Sequence, residues 1–578
     1  MLLETVLRVG ILLVLAVVVG YVWHVDGRGR WRETLTDRFI LGVPWGSLVT
    51  LALVLSVYLF VQSGIESWGD PVVLPFRSWS YSNVLGMLAA GFTHAGPGHL
   101  LGNLLGALAL SPLVEYAWGH YPSGSRDARH SGIDQADRST AARPTGTVHN
   151  PPPLAPSGGN QQVTAARTDN TERGPFARPV VRALLLFPLG IVGVSLLTSL
   201  LASGWSLGYS GTVFFLLGVA VMLLPLATVV AMLTLSGMTV VFSALQTPIL
   251  QVSTSPGVPG PPSWVGVNVQ AHLVGFLLGT LVAFLLLRRR DRWPDVSRLA
   301  LAVVLAVLVR NLWSFATGGG GTFTRWQGVG VIFVLFLAVV IVAMVSVEDR
   351  QLVGPVTLRS VVVGGVVAVT LLIALLSLPA NLAEMDEEPV PGSNSLTIAD
   401  YTVTYAEGVP HGRASFNDSG VIVVSEQRDI WSSVVRPRQL AHHGSATATV
   451  GGIGWREVVD VERTGWRVVG NDSVYTVTLE HDDRRVQAFQ SDPKRADARV
   501  AGHNLTVVPT SVGFRLRLSR DGAVVDSVVV PAVNKTRTVD VNGSIPGEPL
   551  TVATEERDGT RLLVVEYGDT RVPVAETE

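Results

Sequence analysis

A serine does chemistry when a base stands within hydrogen-bond reach and donors face the charge that develops on its target. The most apolar stretch of this sequence holds the parts for that. From Ala183 to Leu287, 105 residues contain no Asp, Glu, Lys or Arg, yet they contain Gly208-Tyr209-Ser210-Gly211 and a single histidine, His272. Ionisable side chains inside lipid are costly, and by default they are functional. Gly208 and Gly211 permit a tight turn at the serine and close approach of a neighbouring helix. Taken alone the serine motif is weak, because membrane serines commonly bond back to their own helix. His272 adds weight: Gly275 and Gly279 follow it as a small-xxx-small face on which two helices can meet closely. If that face packs on the Ser210 helix, the imidazole reaches the hydroxyl. A plain packing face around a satisfied interior histidine is the competing reading. With no carboxylate in the stretch, these helices can supply a Ser–His dyad and no triad.

A third group is His94-x-x-x-x-His99-x-x-x-Asn103. His99 and Asn103 are four apart and so share one helix face, where they offer an imidazole and an amide NH2 as donors. Two nearby histidines can also bind zinc. Gly96-Pro97-Gly98 interrupts the pair, however, and no further ligand has a natural place beside them, so we expect no metal and no cofactor.

The elements that would position these groups are membrane helices. The chain has 578 residues, 48% of them hydrophobic, and a mean hydropathy of +0.40. Apolar runs long enough for a bilayer core fall near 5–23, 44–63, 98–118, 181–203, 209–227, 229–250, 270–288, 298–315, 328–347 and 357–380. Arginine-bearing loops mark the cytoplasmic side: 24–43, 119–182, Arg288-Arg289-Arg290 and Glu348–Arg359. Placing all of them there alternates through ten spans. Ser210, His272 and His99 then lie near outward helix ends, and the C-terminal segment is extracytoplasmic. Residues 1–23 read as an extra anchor helix rather than a cleaved signal, since Glu4 offsets Arg8 and no small-residue cleavage site follows. Arg310 lies near the outer end of the eighth run, where it can snorkel.

Cysteine is absent, which excludes disulfides, thiolate catalysis and cysteine zinc sites. Residues 120–180 are rich in Pro, Gly, Ser and Arg and too poor in apolar residues for a core, which points to a disordered insertion. Residues 396–575 alternate in strand fashion, with turn signals such as Asp521-Gly522, Asn542-Gly543 and Asp558-Gly559, as one β-sandwich or two small ones would. His442-His443 and Asp482-Asp483-Arg484-Arg485 read as solvated strand ends. Asn417, Asn471, Asn504, Asn534 and Asn542 head Asn-x-Ser/Thr triplets, all after residue 400. These glycosylation candidates agree with an external face.

In order and helix placement, His-x4-His-x3-Asn, Gly-x-Ser-Gly and Ala271-His272-x-x-Gly275 with Gly279 resemble the rhomboid family of intramembrane serine proteases. The resemblance covers about residues 44–290, a six-helix core. It implies Ser210 as nucleophile and His272 as general base and then acid, with no cofactor. It also implies an oxyanion site from His99, the Asn103 amide and the Ser210 N–H, and a gating loop at Ser253–Trp264. Phe214 stands where the family often has an aromatic packed on the histidine. The Trp-Arg pair often found in the first external loop is replaced by Leu85-Gly86.

The expected fold is a polytopic α-helical membrane protein, a rhomboid-like core with about four extra helices, carrying a C-terminal all-β extracytoplasmic domain. Its parts would be an N-terminal helix and loop at 1–43, the core at 44–290, three additional helices at 291–381 and the β-domain at 382–578. The expected function is endopeptidase cleavage of membrane-protein substrates whose transmembrane segments are helix-destabilised, near the outer face. A catalytically silent adaptor that binds transmembrane partners and displays the β-domain is the alternative. A transporter fits poorly, since mid-membrane polar residues are almost lacking.

Overall fold

The computed structural model describes residues 2–26, 35–119, 178–246, 248, 268–310, 312, 316–319, 322–346, 356–382, 394–411, 417–539, 550–557 and 559–578. The insertion expected at 120–180 (all but its last three residues), the loop Ser253–Trp264 and Asn542 lie outside them.

Each apolar run contains a helix. They are α1 (Leu2–Asp26), α2 (Trp45–Val61), α4 (Pro97–Trp118), α5 (Pro179–Leu200), α6 (Ser210–Leu223), α7 (Pro225–Gln246), α8 (Val269–Arg290), α9 (Val296–Val309), α10 (Gln327–Ser346) and α11 (Leu358–Leu375). The short helices α3 (Val84–Ala89) and α12 (Ser377–Leu382) lie outside the runs or at their ends. Among the described residues, α4, α5, α8, α10 and the 358–379 stretch are long and apolar enough to cross a membrane, and four shorter apolar helices accompany them. The protein is therefore a multi-pass membrane protein.

Helix starts follow ordinary capping chemistry. Asn268 accepts from the Ala271 N–H at 3.0 Å to begin α8, and Asp295 accepts from the Arg298 N–H at 2.9 Å to begin α9. Thr357 and Ser360 form a reciprocal capping box on α11. The start of α2 is satisfied from a distance. The fully buried Glu115 of α4 accepts from the N–H groups of Gly46 and Ser47 at 2.9 and 2.8 Å and from the Ser47 hydroxyl at 2.6 Å. A carboxylate against a helix N-terminus is favourable there, and it ties α2 to α4.

Helix α6 is the axis of the membrane half. Every residue from Gly211 to Met222 is buried, as an all-apolar helix requires. Its closest partner is α8. A Cβ added to Gly275 would stand 2.2 Å from the Gly211 carbonyl oxygen, and one on Gly279 would stand 2.2 Å from that of Phe215. From the other side, a Cβ on Gly218 would meet the Phe276 carbonyl at 2.3 Å. The two helices touch backbone to backbone at three levels, so glycine at these positions is a requirement of packing.

Among its described residues the C-terminal region is all-β apart from one short helix. A four-stranded sheet comprises β3 (Leu396–Ile398), β4 (Tyr401–Pro410), β5 (Asn417–Ser425) and β6 (Ile430–Val435) in sequence order. A second contains β11 (Lys494–Val500), β12 (His503–Thr510), β13 (Gly513–Arg520) and β14 (Ala523–Val529). Between them runs an eight-stranded sheet of β7 (Ser445–Gly452), β8 (Trp455–Val468), β9 (Ser473–His481), β10 (Arg484–Gln490), β15 (Lys535–Val539), β16 (Leu550–Arg557), β17 (Thr560–Tyr567) and β18 (Thr570–Thr577). A short hairpin, β1 (Ala316–Gly319) with β2 (Thr322–Arg325), joins α9 to α10.

The β region is thus two sandwiches that share a sheet. The reason is β8, whose 14 residues serve both halves. Val459 and Val461 enter one core, while Trp466 and Val468 enter the other. His442 and His443 are not at a strand end as expected; they close the helix α13 (Pro437–His443), which has Pro437 at its first position and Gly444 in the left-handed conformation after it.

The first β core also contains Leu74 and Trp79, from the segment between α2 and α3. Arg456 reaches the Asp70 carboxylate and donates to the Asp70 carbonyl at 3.0 Å. The Gly454 N–H, at the tip of the β7–β8 hairpin, donates to the Val61 carbonyl at 3.3 Å. The β half therefore sits on the segment that follows α2, on the Ser210 side of the helices.

Candidate active site

Ser210 is the first residue of α6, preceded by Gly208 at φ +119, a conformation that favours glycine. The Gly208 N–H donates to the Ala90 carbonyl at 2.7 Å. A Cβ on Gly208 would lie 2.6 Å from the His99 ring, so the chain must be bare there for α4 to approach. His272 stands one turn into α8, and its Nε2 lies 2.7 Å from the Ser210 Oγ. Phe214, one turn after Ser210, stacks on the His272 ring with centroids 4.3 Å apart and an interplanar angle of 26°. The ring is thus held by packing.

His99 and Asn103 both face Gly208 from α4. Asn103 is buried, and its Nδ2 has no hydrogen-bond partner among the described residues. The same distance that forbids a Cβ on Gly208 brings the His99 Nε2 beside the turn that leads into Ser210. His94 packs edge to face on His99 at 5.1 Å, and the Tyr209 N–H points to its Nε2 at 3.5 Å. Gln62 fixes the His94 backbone, accepting from its N–H and donating to its carbonyl. Among the described residues no group of three His, Asp or Glu is placed to hold a metal.

An ionisable hydroxyl–imidazole pair, a held ring, a helix N-terminus and an unpaired amide donor meet at one point. Chemically this arrangement can activate the serine and accept an oxyanion. Gly211, Gly275 and Gly279 do not touch that point; they set the distance between α6 and α8 that makes it.

Sequence reasoning missed the residues that hold the loop before the nucleophile. Asn381 donates to the Ala202 carbonyl at 2.7 Å and accepts from the Gly204 N–H at 3.0 Å. Gln270 donates to the carbonyls of Leu201 at 2.7 Å and Ile373 at 2.9 Å, and accepts from the Ser203 N–H at 3.1 Å. Ser78 bridges to Ser206 through its backbone N–H at 2.9 Å. Gln270, two residues before His272 and polar at a membrane helix start, was the one visible signal. Trp205 in the same loop stacks on His411 at 5.0 Å, and His411 packs on Trp431 at 4.1 Å. That aromatic row links the β half to the approach to Ser210.

In the segment between α2 and α4, Leu85-Gly86 lies inside α3, which Asn83 caps. A Cβ on Gly86 would stand 2.0 Å from the Arg77 carbonyl oxygen, so this segment is tightly closed on itself without the Trp-Arg pair.

Arg310 does not snorkel away from the helices. Its guanidinium carbon lies 5.6 Å from the Phe214 ring centroid, turned toward the site. The aromatic face attracts the cation more than its position near a helix end would indicate.

Residues 178–289 match the family model of the Rhomboid domain. The match spans α5 to α8, including Ser210, Phe214 and His272, and begins after the helix that carries His99 and Asn103. No curated protein and no solved structure matches the chain. The segment that brings Ser210 to His272 is thus the part of the chain that is similar to a Rhomboid domain.

Proposed function

We propose that this protein is an intramembrane serine endopeptidase that cleaves membrane-protein substrates with helix-destabilised transmembrane segments. The observation that carries the reading is the 2.7 Å contact between Ser210 Oγ and His272 Nε2 under the stacked Phe214 ring. His272 Nε2 takes the Ser210 proton as the hydroxyl attacks a backbone carbonyl, and the imidazolium then returns it to the leaving amine. The developing oxyanion is received by the Ser210 N–H at the start of α6, the unpaired Asn103 Nδ2 and His99. Water then hydrolyses the acyl-enzyme, with His272 again as base. No cofactor enters any step.

Arginine placement supports a reading in which the Ser210 end of the helices and the β half face the outer side of the cell membrane. The exposed Asn417, Asn471 and Asn534 and the half-buried Asn504 are then available as glycosylation sites.

The test is labelling by a fluorescent fluorophosphonate, on wild type and on Ser210→Ala and His272→Ala. We expect wild type alone to be labelled, and substrate cleavage to be lost in both variants while they stay folded. A folded wild type that is not labelled would favour the silent adaptor. Equal labelling of His272→Ala would sink the dyad.

A further inference from the structure

Arg310 follows the last residue of α9, beyond the matched segment. That helix packs on α6 and α7. Besides lying over Phe214, the guanidinium reaches α4: a Cβ on Gly106 would stand 3.5 Å from Arg310 Nη2. Gly106 is three residues past Asn103, and Phe214 is four past Ser210. The cation therefore lies between α4 and α6, one helical turn deeper than the Ser–His pair. Gly106 leaves room for it, since a larger residue there would also press on Val213 at 3.0 Å.

Among the described residues the charge forms no ion pair. Its buried Nε has no hydrogen-bond partner among the described residues. The sequence contains no Asp or Glu from 173 to 290 or from 296 to 347. Glu115 of α4 is nine residues past Gly106, about 13 Å along the helix, and is already engaged by Gly46 and Ser47. An arginine facing membrane helices is retained at a cost, and its partner is ordinarily a charge of opposite sign. This one stands beside the place where, on the protease reading, a substrate segment is engaged.

We propose that Arg310 is a specificity residue that pairs with an acidic side chain of the substrate's transmembrane segment. The step from Ser210 to Phe214 is about 6 Å along the helix axis. An extended substrate covers that in about two residues, at roughly 3.3 Å each, and a helical one in four. The acidic residue therefore stands two to four positions deeper in the membrane than the bond presented to Ser210. The fork of guanidinium donors suits a carboxylate, and pairing also supplies a counter-charge.

The proposal rests on the reading of Ser210 as the place of substrate engagement, so its test measures binding rather than turnover. A fluorescent Leu/Ala transmembrane peptide is prepared with Gly-Ala near its outer end and either Asp or Asn three residues deeper. Binding to the full-length Ser210→Ala protein in bicelles is followed by anisotropy, alone and combined with Arg310→Gln or Arg310→Lys. The Asp peptide is expected to bind about tenfold more tightly than the Asn peptide, in keeping with a charge-assisted hydrogen bond. Arg310→Gln should erase that preference and Arg310→Lys should keep most of it. Equal binding of the two peptides to the Arg310 protein overturns the proposal, as does a preference that survives in Arg310→Gln. Fluorophosphonate labelling of wild type and Arg310→Gln reads the protease assignment separately, because it requires Ser210 and no acidic substrate.

Discussion

The membrane half and the β half of this protein are closed by different means. In the membrane half, α6 and α8 meet through carbonyl oxygens set against glycines, with the nearest hypothetical Cβ contacts at 2.2 Å. At those levels backbone meets backbone, and no side-chain rotamer can relieve the contact. In the β half, two cores of Val, Leu, Ile and aromatic side chains fill a shared sheet, and charged pairs such as Arg463 with Glu578 and Arg428 with Asp400 sit at the margins. Side chains can repack around a change, whereas backbone contacts cannot. The difference teaches where geometry is held most tightly: at the helix pair that sets the distance from Ser210 to His272.

That contrast is broken most directly at Gly275. Gly275→Val must push α8 off the Gly211 carbonyl, at a cost of about 3 kcal/mol, the upper part of the usual range for overpacking. We expect a lowered melting temperature in detergent and fluorophosphonate labelling reduced more than about 100-fold, since a shift of an ångström can cost that much. Wild-type labelling with unchanged melting would show that the glycine face is not what positions the dyad.

Phe214→Ala comes next. It removes the ring stacked on His272 and leaves a space beside the dyad, at a cost of about 3 kcal/mol for a buried aromatic. Labelling should slow by about tenfold to 100-fold, whereas Phe214→Tyr, which keeps the ring, should stay within about threefold of wild type. If Phe214→Ala labels as fast as wild type, the imidazole is oriented by something other than the stack.

The smallest effect is expected in the β half and needs no mutation. Burial, followed by the hydrogen bond to Glu407, pushes the Tyr475 hydroxyl up from 10.0 to about 12. A pKa raised on folding adds stability that is fully present below about pH 10 and is lost as pH rises toward 12. Titration followed by tyrosinate absorbance should show Tyr475 ionising late, with β-sheet circular dichroism falling over the same window. In Glu407→Gln the late phase should move to lower pH. A β half that keeps its circular dichroism while Tyr475 ionises would remove the link.

Much of the helical half was legible because membrane helices announce themselves in one dimension. A run of apolar residues is sufficient, and Gly275 and Gly279 on one face already imply a close partner. The stack of Phe214 on His272, 58 residues away on another helix, was anticipated only through the family resemblance. What was not legible came from residues joined over long separations by single polar contacts. Asn381 and Ala202 are 179 residues apart, and a lone asparagine at the end of the last apolar run carries no periodic signal. The same holds for Asp70 and Arg456, 386 apart, which tie the β half to the segment after α2. Arg310 was read by its distance from the helix end, when the decisive fact was a ring on another helix. The helix at Pro437–His443 could have been read from Pro437 and Gly444, but strand alternation on either side drew the assignment across it. Alternation likewise identified strands without revealing that β8 is long enough to serve two cores.

The hydrogen bonds from Asn381 to the loop before Ser210 also order events in time. During synthesis, α6 and α8 can meet once residue 290 has been made, so the serine and histidine come together early. Residues 201–204 acquire their full set of partners only when Asn381 has been added, some ninety residues later. The β half that seats His411 against Trp205 follows later still. A nascent chain therefore holds the reactive pair before it holds the loop that frames it, and the mature arrangement is a property of the finished polypeptide.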